Sequence, residues 1–158
     1  MSTNTLETKR KASENPYYIL ATIYGTHANG VDHDTHEKNR YLWNAWACQG
    51  LTDTEKDALL KAKPDLTIPD WTEALEKTAQ NAFNKRLPNV AIPEPSKGID
   101  FSNTHFEETV YFGNGFIFTK ATYFGSAIFT KVAYFGGATF TKESSFGGGH
   151  LQGEGLFR

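Results

Sequence analysis

Between Phe101 and Leu151 the large apolar residues fall at 101, 106, 112, 118, 124, 129, 135, 140, 146 and 151, so the steps are 5, 6, 6, 6, 5, 6, 5, 6 and 5. A helix needs apolar spacing near 3.6 and a strand near 2, and neither period fits. Self-similarity at a steady interval predicts a solenoid. The residue two before each large one is small or slender: Thr104, Val110, Thr122, Ala127, Ala133, Ala138, Ser144 and Gly149. In an extended segment, positions i and i−2 point to the same side. Each short side therefore sends one large and one small residue into a narrow interior, with Gly and polar residues left for corners and exterior. Phe116, two before Phe118, is too large for the small site and predicts an irregularity between Gly113 and Ile117.

The segments "FSNTHF", "ATYFGSAIF", "VAYFGGATF" and "ESSFGG" carry a resemblance to the pentapeptide-repeat family, over about residues 99–157. The resemblance implies a right-handed quadrilateral β-helix, so the fold class expected is mainly β with a small α-helical N-terminal region ahead of the solenoid. The simplest members of the family step strictly by five. Here fives and sixes alternate, so two sides take eleven residues and four sides about twenty-two. Some corners must bulge, and the "YFG" glycines suit this because glycine tolerates positive φ. Fewer than three coils fit, which at a strand spacing of about 4.8 Å gives a rod about 13 Å tall. So short a solenoid needs covers at its ends.

The remainder reads as that cover. Residues 1–15 are polar and are expected to form a disordered tail. Residues 16–87 are expected to be helical. "DTHEKNRYLWNAWACQG" has Asp34 as a cap with Glu37 three later, "TDTEKDALLKA" has Thr52 and Glu55 in the same relation, and "PDWTEALEKTAQNAFNKRL" has Trp71, Leu75, Ala79, Phe83 and Leu87 in one stripe. "PYYILATIYG" is read as helix. Residues 88–98 form a Pro-rich connector, and the repeat domain occupies 99–158.

Composition adds few constraints. Five acids and four bases follow residue 98, thirteen and twelve precede it, and the formal net charge is −2. Neither half has a field that would collect phosphates, and no nucleic-acid partner is expected. One Cys excludes an intramolecular disulfide and fits a reducing compartment. No signal peptide or membrane span is apparent, so no membrane contact and a cytoplasmic location are expected.

Candidate chemistry is sparse. His33 and His36 stand three apart with Asp32, Asp34 and Glu37 and are the weak metal candidates, but a third ligand of defined spacing is missing. Cys48 lies mid-helix with no base at a recognisable spacing. No catalytic residue and no cofactor are expected, and an enzyme using a metal or thiol site in the helical region is kept only as an alternative reading. Lys120, Lys131 and Lys142 recur every eleven residues, and a coil of twenty-two stacks the first and last on one face with Lys131 opposite. With Leu151 and Leu156 they are the candidate partner surface. The function expected is a non-catalytic protein-binding or self-associating module, with a homodimer through the C-terminal coil. The resemblance also brings the action of some members on DNA topoisomerases, by imitating duplex shape and charge. A short rod of near-zero charge does not favour it.

Overall fold

A computed structural model describes residues 9–147 and the backbone of 150–151. Four helices precede a strand-rich region: α1 (Pro16–Ala21), α2 (His33–Ala47), α3 (Asp53–Ala62) and α4 (Glu73–Arg86). Each begins at a side-chain cap that satisfies first-turn amides. Asn15 accepts from the Tyr17 and Tyr18 amides, with Pro16 at the first helical position. Thr52 and Glu55 exchange reciprocal hydrogen bonds as expected, and Thr72 caps α4. The cap of α2 is Asp32, which accepts from the Thr35 amide, and not Asp34. Asp34 already lies in the first turn, where its charge favours the helix dipole.

Residues 9–15 do not belong to the expected disordered tail, whose residues 1–8 lie outside the described residues. Arg10–Lys11 form strand β1, a 3-10 turn follows over Ala12–Glu14, and Asn15 is buried. The connector 88–98 has no helix or strand.

Ten further strands follow: β2 (Ile99–Asp100), β3 (Thr104–Phe106), β4 (Val110–Tyr111), β5 (Ile117–Phe118), β6 (Thr122–Tyr123), β7 (Ile128–Phe129), β8 (Ala133–Tyr134), β9 (Thr139–Phe140), β10 (Ser144–Ser145) and β11 (His150–Leu151). They make four small parallel sheets: β2-β6-β10, β1-β3-β7-β11, β4-β8 and β5-β9. The chain visits these sheets in one repeating order; β2 to β5 are called the first pass and β6 to β9 the second. Ile99 pairs with Thr122, His105 with Ile128 and Val110 with Ala133, each 23 residues apart. Ile117 pairs with Thr139, Thr122 with Ser144 and Ile128 with His150, each 22 apart.

The change from 23 to 22 places one extra residue in the first pass, between Tyr111 and Ile117, where the irregularity was expected. Phe116 is not forced into a small site but is completely buried against α2, with its ring centroid 5.9 Å from Trp43 and 5.2 Å from His36.

Phenylalanines in register stack at the strand spacing. Phe101, Phe124 and Phe146 form a column with centroid steps of 5.1 and 4.7 Å; Phe106 on Phe129 and Phe118 on Phe140 are 4.8 and 4.7 Å apart. Phe112 and Phe135 meet edge to face at 5.9 Å. The corners correct one expectation. Within the repeat, positive φ falls on Asn103, Asn114, Gly115, Ser126 and Gly137, none of which is a "YFG" glycine. Gly113 is required for another reason: a Cβ there would stand 2.4 Å from the Gly136 carbonyl oxygen, because stacked corners approach too closely for a side chain.

Candidate functional site

The most elaborate polar construction is the junction between α2 and the first pass. A strand edge leaves backbone N–H and C=O groups unpaired, and burying them without partners is costly. Asn44, fully buried in α2, answers with its amide. Its Oδ1 accepts from the Ile117 N–H at 2.9 Å, and its Nδ2 donates to the Gly115 and Thr67 carbonyls at 2.9 and 3.0 Å. The side chain thus replaces a neighbouring strand. Trp43 Nε1 donates to the Ile117 carbonyl at 2.9 Å, and the Thr119 hydroxyl donates to the Ala47 carbonyl at 2.7 Å. Trp46 Nε1 binds the Pro93 carbonyl, fixing the connector to the same helix.

On the next sides the device changes. Asn15 Nδ2 donates to the Asp100 carbonyl and to Thr104 Oγ1, and Tyr17 Oη donates to the Gly98 carbonyl. Strand β1 then adds directly to β3, with the Arg10 N–H bonded to the Asn103 carbonyl. Sequence inspection overlooks Asn44, although an amide inside "WNAWA" signals a buried polar group needing partners.

His36 is buried at this junction, its ring 3.8 Å from that of Tyr111 in a stacked arrangement. Neither ring nitrogen has a partner in hydrogen-bond geometry. Burial pushes its pKa down to about 4, helped by the Arg40 and His27 charges, while the nearby backbone of Asn114 and Gly113 acts in the opposite sense. His27, also buried, accepts from the Asp32 N–H through Nδ1 and lies 6.3 Å from the His36 ring. His33 is exposed, 6.3 Å from Tyr111. Among the described residues no group of three or more His, Cys, Asp or Glu side chains is placed to hold a metal ion.

Cys48 is buried at the end of α2, and burial pushes its thiol up to about 11 against a small opposing effect of Lys56. A thiol so protonated is a poor nucleophile at neutral pH. Lys120 and Lys142 follow β5 and β9 in the same register, and both charges reach Glu55 at the start of α3, helping its caps hold the carboxyl below its ordinary value. Lys131 is exposed after β7, on a different corner. Leu151 contributes backbone to β11, while Leu156 lies outside the described residues. On the outer face, His105 Nε2 and Thr130 Oγ1 are 2.7 Å apart, tying the two passes together. No helix among the described residues is long and apolar enough to cross a membrane.

No family model matches the chain, and no significant similarity links it to a curated protein or a solved structure.

Proposed function

We propose that the repeat closes into a right-handed four-sided β-helix of the pentapeptide-repeat type, and that the protein is a non-catalytic module that associates with a second copy of itself through the edge distant from the helices. The register supports the closed coil: four sheets are visited in fixed order, with pairings 22 or 23 residues apart and Phe columns inside.

The observation that carries the association is the treatment of strand edges. The sheets recruit extended backbone from their own chain at the helical end, where β1 adds to β3. At the other end, β8 and β9 each have one strand neighbour among the described residues, and Phe140 is half-buried. Paired edges and covered rings favour end-to-end contact between two such surfaces.

Light scattering over a concentration series tests this, with the wild type beside a variant in which Leu151 and Leu156 are changed to Asp. The expected result is a dimer that becomes a monomer in the variant. A wild-type monomer at the highest concentration would refute self-association.

A further inference from the structure

A cleft of about 390 Å³ lies between the loop after α3 and the turn joining β4 to β5. Arg40 reaches it from α2 and Lys63 from the end of α3; Pro64, Leu66 and Gly115 supply much of the remaining wall, and Asp65 is the single acid on the lining. We propose that this cleft binds a small oxyanion, a carboxylate or phosphate group, between Arg40 and Lys63.

The argument begins with charge. Arg40 is part-buried; its Nη1 donates to the Asn114 carbonyl at 3.1 Å, while its Nε is buried without a partner. Among the described residues no carboxylate lies within 4.0 Å of either Arg40 or Lys63, Asp65 included. A guanidinium drawn partly out of water and left without a counter-ion is costly, and an external anion offsets that cost.

The placement is built in. A Cβ on Gly115 would meet Arg40 Cδ at 2.9 Å, so glycine lets the arginine stem lie against the turn. Lys63 Nζ donates to Thr139 Oγ1 at 3.0 Å, which holds the ammonium beside the second pass. Arg40 of α2 and Lys63, the residue that ends α3, therefore line one concave site whose walls are partly apolar. Charge-assisted bonds from a guanidinium and an ammonium suit a carboxylate or phosphate oxygen pair.

The test uses the full chain. Thermal unfolding and the arginine Nε–Hε NMR signals are followed during titration with sodium succinate and, separately, inorganic phosphate, each against sodium chloride at equal ionic strength. The expected result is a saturable shift of the Arg40 signal with one of the two anions, whose identity tells carboxylate from phosphate. Lys63→Gln, at an exposed position that leaves the fold intact, should weaken that binding about five- to tenfold, and Arg40→Gln at least as much. Absence of a saturable shift beyond chloride, or equal binding by Lys63→Gln, would overturn the proposal.

Discussion

Phe118 in the first pass is completely buried, whereas Phe140, its register partner in the second, is only half-buried; Phe112 and Phe135 differ in the same way. The residue type, the strand register and the stacking distance are alike. What differs is the neighbour beyond: Trp43 stands 5.5 Å from Phe118, and Tyr18 meets Phe112 at 6.4 Å. For Phe118 and Phe112 a helical ring adds to the packing within the repeat, whereas Phe124, in the second pass, is buried between Phe101 and Phe146 of the repeat itself. A repeat sequence therefore sets which residues point inward, while the burial they reach depends on what covers the pass.

The largest expected effect sharpens this contrast. Phe118→Ala should cost about 3–5 kcal/mol, the range for a fully buried aromatic, and Phe140→Ala roughly half as much. Urea unfolding at low protein concentration measures both. Equal losses would mean that the two passes are equally covered.

The second effect depends on pH. His36 is neutral in the folded protein with a pKa of about 4, whereas the unfolded chain takes up that proton near the ordinary value of 6.5. The unfolded state therefore binds more protons between these values, and stability is lost as pH falls from 6.5 towards 4. The loss from this group is on the order of 3 kcal/mol at most. His36→Phe should flatten the difference in stability between pH 7 and pH 4.5, and an unchanged slope would show that His36 is already protonated or solvated when folded.

Asn44→Ala comes next. It leaves the Ile117 N–H and the Gly115 carbonyl without their side-chain partner, at about 2–3 kcal/mol. Amide exchange at Ile117 should accelerate more than at Thr139, which keeps its backbone bond to Phe116. Smallest is a pair of glycine substitutions. Gly113→Ala meets backbone at 2.4 Å and should cost about 1–3 kcal/mol, while Gly125→Ala, with 3.1 Å to the Gly147 oxygen, should cost less.

Much of the repeat was legible in the sequence, because large and small residues recur at fixed offsets along its short parallel strands. Thr104, Val110, Thr122, Ala127 and Ala133 are all buried beside the rings they precede, whereas Ala138 is half-buried and Ser144 exposed. The helices were legible from their apolar stripes and from Thr52 with Glu55. The corners were misplaced by one residue, since a glycine can be required by close approach as well as by positive φ, and sequence alone does not distinguish Gly113 from Gly137. The ordered strand at Arg10–Lys11 was hidden for a different reason: two polar residues have no periodicity, and their pairing to β3 is a long-range event 94 residues away. Asn44 and Arg40 were equally hidden. A buried amide or guanidinium is defined by the strand edge or turn it meets, and those partners lie more than 70 residues further along the chain.

The central claim is that the helices finish one edge of the repeat and a second copy finishes the other. Native-state amide exchange at a low and a high protein concentration tests it most directly. Protection across residues 132–140 should rise with concentration while that of Ile117, already held by Asn44, stays constant. Exchange across 132–140 that does not change with concentration would contradict it.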